Sequence, residues 1–397
     1  MSHTEAHISG RGTRAVQSVF LALFLFFLAA PAFQERTQLF SYEAVVENRV
    51  RAPRPDGILG IFNSESGYAH KYEAYFNDNY GFRDFLIKLK NQLDMWLFST
   101  SDEVLIGEDG WLFYRKLYER DMRRLESSAS LMPTIVERLS RLNALLAQRG
   151  VKLVVVPCPA KTTLYRERVP ADYPVPADHT AFQQYRALLR KHPEIAVVDV
   201  QGILEQLKPR MRTYHKTDFH WTDPAGAIVW KDLHKLLAAA SGQREPSLAR
   251  VSTSKRPGFA GGEINSLAVF FPPTETGLEL KVPLSNPDGT FEPSKDPNRW
   301  TYVAKNPSDP GLLPATVLIG DSFADAFLRA GFAAPFSRLS KFSNNDFAST
   351  ALNLPEGTRF LVFEHIESAL LAMTNDVWWP RELLDGESAG KSGGAAS

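Results

Sequence analysis

Two short segments carry residues whose types and order suit acyl transfer. Gly320-Asp-Ser-Phe323 follows the apolar run Ala315-Thr-Val-Leu-Ile319 and precedes a helix expected to begin near residue 323. A serine at such a turn has its hydroxyl in the crevice beyond the carboxyl ends of the strands, where open α/β sheets bind ligands. Backbone N–H groups of the turn are placed to stabilise an oxyanion. Gly320 is expected to allow a tight turn and a close approach of substrate. The plainer reading of the segment is a helix cap formed by Asp321 or Ser322.

The second segment is Thr217-Asp-Phe-His-Trp-Thr-Asp-Pro-Ala-Gly226. In an extended chain Asp218 and His220, two apart, point to the same side. The carboxylate then accepts from one imidazole nitrogen, and the other is free to take a proton from a serine. A serine nucleophile needs such a base, and the base needs an orienter. The alternative is a structural histidine held by its neighbour. Among rival histidines, His365 follows an apolar strand and comes after the serine, where many serine hydrolases keep their base. Glu364 beside it is expected to face away along the strand. His215 has no carboxylate two residues away, and His3 and His7 precede an apolar segment.

These side chains need a scaffold, and the hydrophobic pattern supplies one. A helical stretch is expected around 64–98, then two short strands about the turn Asp109-Gly110 within Val104–Tyr114. An amphipathic helix at 131–149 ends at Gly150. Val151-Lys-Leu-Val-Val-Val-Pro157 reads as a strand buried on both faces. A helix at about 178–191, a strand at 196–200, a helix at 223–241 with Pro224 in its first turn, and strands at 315–320 and 359–363 follow. This alternation predicts a doubly wound α/β sheet. Residues from about 244 to 313 break the pattern and read as an insertion with short strands over the functional edge.

Arg11 and Arg14 precede an apolar run from Val16 to Phe33, interrupted only by Gln17, Ser18 and Pro31. A basic flank and a run of roughly 18 apolar residues read as a signal peptide or signal anchor. Ala30-Pro31-Ala32 resembles a cleavage site, whereas the length and phenylalanine content favour retention. The reading taken here is an uncleaved anchor with the bulk of the chain outside the cytoplasm. The expected organisation is a membrane segment at 1–33, a linker at 34–60, a catalytic domain at 61–385 and a small, polar, disordered tail at 386–397.

Lys+Arg and Asp+Glu both number 45, giving a formal net charge of +0, which argues against a nucleic-acid binder. The one cysteine, Cys158, excludes an internal disulfide. No His/Cys cluster has zinc spacing, so neither metal nor cofactor is expected. Lys161 and Tyr165 lie beyond the strand at 151–157, near the same edge as the serine. They are candidates to contact sugar or support the triad, the plain alternative being a solvated lysine and a packed tyrosine. Trp300, in the insertion, is a candidate for sugar stacking.

Asp-x-His-Trp and Gly-Asp-Ser-Phe, in that order, resemble the SGNH-hydrolase-like domain of the alginate O-acetyltransferase AlgJ/AlgX family. Asn79-Tyr-Gly-Phe-Arg83, Gly107-Glu-Asp-Gly-Trp-Leu-Phe-Tyr114, and Val154-Val-Val-Pro157 followed by Lys161-Thr-Thr-Leu-Tyr165 are similar to further family segments. The match spans roughly residues 75–330. It implies an SGNH-like sheet and an O-acetyltransferase acting on an exopolysaccharide in the periplasm, anchored to the inner membrane. It also implies a serine-bound acetyl intermediate, with Ser322 as nucleophile, His220 as base and Asp218 as orienter. Implied partners are a membrane-bound O-acyltransferase as acetyl donor and other polysaccharide secretion proteins. The chain ends soon after its last expected strand, a pattern more similar to AlgJ than to AlgX. Gly261-Gly-Glu-Ile264 is only loosely similar to a family segment and is given no role. Two other readings stay open: a carbohydrate acetylesterase with the same triad, and an inert polysaccharide-binding subunit.

Overall fold

The computed structural model describes residues 10–46, 49–55, 67–173, 180–246, 252–281, 289–292, 294–296, 299–326 and 331–384. The expected tail from 386 lies outside them, as does most of the helix expected after 323. The chain forms two compact units, residues 1–99 with 265–272, and residues 100–264 with 273–397.

The larger unit contains eleven strands among its described residues. In chain order they are β1 Val104–Ile106, β2 Leu112–Tyr114, β3 Lys152–Cys158, β4 Ala196–Val197, β5 Ser252–Phe259, β6 Glu275–Lys281, β7 Gly289–Glu292, β8 Trp300–Ala304, β9 Thr316–Gly320, β10 Arg338–Ser343 and β11 Phe360–Ile366. Seven form one sheet in the order β4-β3-β11-β9-β10-β8-β7. Pairings from β4 to β10 are parallel, and β8 and β7 add an antiparallel edge. β1 and β2 form the expected antiparallel hairpin.

Alternation along the strands explains the two layers. Val154, Val156, Leu318 and Val362 enter one apolar core, shared with Val229, Trp230 and Leu233 of the helix Asp223–Ser241. Leu153, Val155, Val317, Ile319, Leu361 and Phe363 enter the other, shared with the helices Met132–Gln148 and Ala181–Leu189. Each fully buried branched side chain contributes about 1.5–3 kcal/mol to holding a helix on the sheet. The doubly wound arrangement is thus the one the apolar runs predict.

Departures have local causes. β4 stops at Val197 because Asp199 turns to cap the helix Val200–Leu207, accepting from the Gly202 amide at 3.3 Å. β10, Arg-Leu-Ser-Lys-Phe-Ser, is too polar to read as a buried strand, yet Ser340 and Lys341 are buried in it. The insertion does hold short strands: β5 and β6 pair with each other, and β7 and β8 join the main sheet.

In the smaller unit the helix Gly10–Thr37 leaves Val16–Leu28 largely exposed, and its Arg14–Thr37 portion is long and apolar enough to cross a membrane. The stretch expected as helix around 64–98 is two helices, Tyr68–Asn79 and Arg83–Phe98, separated where Tyr80 turns extended (φ −61°, ψ 145°).

Candidate active site

Residues 213–222 form a tight loop. It is closed by the Tyr214–Trp221 bridge and by the Thr222 amide donating to the Thr213 carbonyl at 2.8 Å. Asp218 and His220 meet at its tip. The expected extended geometry is replaced by a turn: the His220 amide donates to Asp218 Oδ1 at 2.9 Å, as short side chains of this type do when they cap a local bend. The same oxygen lies 2.6 Å from His220 Nδ1. His220 Nε2 lies 2.7 Å from Ser322 Oγ. With the ring proton on Nδ1 facing the carboxylate, Nε2 accepts from the serine hydroxyl. Ser322 is exposed, opening the helical turn Ser322–Ala324 after β9. The fold therefore brings the serine, histidine and aspartate into one hydrogen-bonded line. His220 also packs against Phe219 and Phe323, and Trp221 Nε1 donates to the Phe323 carbonyl at 3.2 Å, tying the loop to the serine turn.

Burial would raise the Asp218 carboxyl. The hydrogen bond and charge of His220, with the amides of His220 and Gly262, outweigh it and hold the group well below the usual carboxylate range. It is ionised whenever the histidine works as a base. Gly262 donates to Asp218 Oδ2 at 2.8 Å. It gets there because Gly261 has no side chain: a Cβ would stand 2.3 Å from the Thr217 carbonyl oxygen and 2.4 Å from Asp218 Cβ. The Gly-Gly-Glu segment given no role in the sequence thus backs the carboxylate, and its only signal there was the doubled glycine.

Lys161 is buried rather than facing a groove. Its ammonium donates to the carbonyls of Leu112 (2.6 Å), Lys216 (2.9 Å) and Asp218 (2.9 Å) and pairs with Glu263 Oε1 at 3.3 Å. Burial lowers the lysine, opposed by the Glu263 charge, and pushes Glu263 up to about 7, opposed by Lys161. Of the two roles the sequence left to Lys161, the geometry fits support of the loop. Tyr165 is also in the core, 5% exposed, its hydroxyl accepting from the Thr213 amide at 2.9 Å and its ring 4.2 Å from that of Trp111. This fits the packed alternative, with the ring steadying the base of the same loop. Trp300 lies on β8, at the antiparallel side of the sheet, packed edge-on against Phe291.

Beneath the nucleophile is a second carboxyl pair. Asp321 accepts from the amides of Phe323 (2.9 Å) and Ile366 (3.0 Å), and its own amide donates to Glu364 Oε2 at 3.0 Å. Burial, and then the Asp321 charge, keep Glu364 protonated far above the ordinary range. Gly320 makes room for this carboxyl rather than for substrate, since a Cβ there would stand 2.9 Å from Glu364 Oε2. His365, on the opposite face of β11, touches the Tyr185 hydroxyl at 3.1 Å. Beside β10, Asn344, Asn345, Asn375 and Trp378 line a cleft of about 280 Å3. Asn344 reaches Asp321 Oδ2 at 3.5 Å. Among the described residues no cluster of side chains could hold a metal ion.

The mostly parallel sheet thus carries a Ser-His-Asp line just beyond the carboxyl end of β9, the geometry of a serine nucleophile with its base. The model of the family described as "SGNH hydrolase-like domain, acetyltransferase AlgX" matches residues 104–340, and the chain belongs to that family. Among curated proteins, the probable alginate O-acetylase AlgJ of Pseudomonas aeruginosa is 32% identical over 162 residues, 40% of this chain and 39% of that protein. The AlgJ of Pseudomonas syringae pv. tomato is 28% identical over 175 residues, 44% of this chain and 42% of that protein. The matched stretches thus span about two-fifths of these relatives. The solved O-acetyltransferase domain of Pseudomonas putida AlgJ superposes with TM-score 0.51 at 17% identity, covering 72% of this chain and 99% of that one, a likeness of fold.

Proposed function

We propose that this protein is an O-acetyltransferase that moves acetyl groups to hydroxyls of an exopolysaccharide through an acetyl-serine on Ser322. The observation that carries the reading is the unbroken line Asp218–His220–Ser322, with contacts of 2.6 and 2.7 Å, ending on an exposed hydroxyl. His220 Nε2 takes the serine proton as Oγ attacks the acetyl carbonyl of the donor. The oxyanion forms beside the Ser322 amide, the first of its turn and so without an intrahelical acceptor. His220 returns the proton to the leaving group. A sugar hydroxyl then gives its proton to His220 and attacks the acetyl carbonyl, and Ser322 leaves and recovers its proton. Asp218 fixes the tautomer throughout. The cleft of Asn344, Asn345 and Asn375 beside β10 offers side-chain amides to the hydroxyls of a sugar acceptor. The AlgJ relatives' names point to an acidic exopolysaccharide as acceptor.

The apolar helix, with Arg14 at its start, supports anchoring in the inner membrane with the catalytic unit in the periplasm. A membrane-bound O-acyltransferase is the acetyl source in this scheme, and other secretion proteins deliver the polymer. The test is incubation of the full-length protein in detergent with a chromogenic acetyl ester, with and without acidic oligosaccharides. Intact mass is followed for wild type and Ser322→Ala. Acetyl found on Ser322 and then on sugar is expected. Release to water at the same rate with or without acceptor would make the protein an esterase, and no acylation would leave it a binding subunit.

A further inference from the structure

Where the apolar helix of the smaller unit ends, the structure encloses a cavity of about 840 Å3. Its charged wall is Glu35, Arg36, Arg51, Arg54, Arg83 and Asp84. Four guanidiniums therefore face two carboxylates. Asp84 is occupied by Arg51 (2.8 and 2.9 Å) and by Arg83 (3.0 Å), and Glu35 accepts from the Tyr75 hydroxyl. Among the described residues, Arg36 and Arg54 have no carboxylate partner. The wall is built rather than draped. Asp78 takes the Arg49 guanidinium in two bonds of 2.6 and 2.7 Å and the Ala52 amide at 2.8 Å, while Asn79 donates to the Ala52 carbonyl at 3.0 Å. These bonds set the segment that carries Arg51 and Arg54 against the break between the two later helices. Tyr42, bonded to the Gly81 carbonyl, closes another side.

The cavity's position decides what it would hold. The apolar run Val16–Phe33 rises about 27 Å as helix, close to the hydrocarbon thickness of a bilayer. Arg36 comes within one turn of its end, so in an anchored protein the cavity stands at the level of the lipid headgroups. Guanidiniums recognise phosphate in paired hydrogen bonds, and two unneutralised ones match a single anionic phosphodiester. We propose that this cavity binds the phosphodiester headgroup of an anionic phospholipid, fixing the start of the chain against the membrane. The proposal rests on the anchor reading above.

The test uses the full-length protein in neutral detergent, titrated with phosphatidylglycerol or phosphatidylcholine and read by native mass spectrometry. One phosphatidylglycerol is expected to bind at least about tenfold more tightly than phosphatidylcholine, and Arg36→Gln/Arg54→Gln is expected to remove that preference. Both arginines are exposed, so the variant should fold, which unchanged turnover of a soluble acetyl ester would verify. Equal binding of the two lipids, or a preference that survives the double variant, overturns the proposal. Displacement by an equal concentration of inorganic phosphate assigns the site to free phosphate, and displacement by an acidic oligosaccharide assigns it to polymer; either overturns the lipid. Flotation on phosphatidylcholine vesicles reads the anchor alone, so its failure is distinguishable from failure of the cavity.

Discussion

His220 sits at the tip of a tight loop with 26% of its side chain open to solvent, whereas His365 lies inside β11 with none of it exposed. Both follow the sequence pattern of a residue near a strand end. His220 has a carboxylate held ionised on one nitrogen and a serine on the other. His365 has a tyrosine hydroxyl on one nitrogen and a strand carbonyl at 3.3 Å from the other, and burial lowers it to about 4, so it stays neutral. The carboxyls beside them differ as sharply. Asp218 is backed by amide donors and ionised, while Glu364 is buried beside Asp321 and protonated. A base needs an ionised partner and an open face, and of these two histidines the fold gives both to His220.

The largest expected effect is loss of the nucleophile: Ser322→Ala should lower acetyl transfer by about 10⁴–10⁶-fold with unchanged melting, and His220→Ala should match it. Asp218→Asn should cost about 10⁴-fold in kcat by releasing the wrong imidazole tautomer. His365→Gln is the counter-experiment. It should leave kcat within about twofold and instead lower stability by about 1–3 kcal/mol, measured by urea denaturation, because a buried bond to Tyr185 is perturbed. Equal kinetic losses in the His220 and His365 variants would erase the contrast. Lys161→Met should lower kcat by up to about 10²-fold with KM little changed, since the Asp218 carbonyl loses its tether while no substrate contact is removed. A change confined to KM would return Lys161 to the substrate.

The smallest effect is on pH. Glu367 is buried, accepts from the Ala160 amide at 2.8 Å and the Thr163 hydroxyl at 2.7 Å, and is pushed by burial up to about 7 from an ordinary 4.5. Its folded value exceeds its unfolded one, so its contribution is complete below about pH 4.5 and is lost as pH rises to 7. Wild type should lose at most about 3 kcal/mol across that window from this group, and Glu367→Gln should lose less. An unchanged slope would place the pH dependence on other carboxyls.

The sequence made the sheet legible where strands are apolar on both faces: β3, β9 and β11 stand where continuous runs predict them. It hid β10, whose lysine and serines are buried by their neighbours rather than by their own polarity. At the candidate site the serine, histidine and aspartate carry side-chain chemistry that spacing can reveal. Their supports do not. Gly262 acts through its backbone amide, and Glu263 through a lysine that precedes it by about a hundred residues, contacts that exist only after folding. Alternation along β11 separates Glu364 from His365, but only the folded sheet decides that Glu364 faces the serine turn and His365 faces Tyr185.

The sheet order has a consequence for how the molecule is made. β11 pairs with β3 on one side and β9 on the other, and it is the last described strand of the chain. Residue 154 waits for residue 362, and the two hydrophobic layers share no finished centre until then. Long-range pairing of this kind makes folding slow. Without β11 the strands β3 and β9 have no common neighbour, so the last described strand is the one that joins the two halves of the parallel sheet.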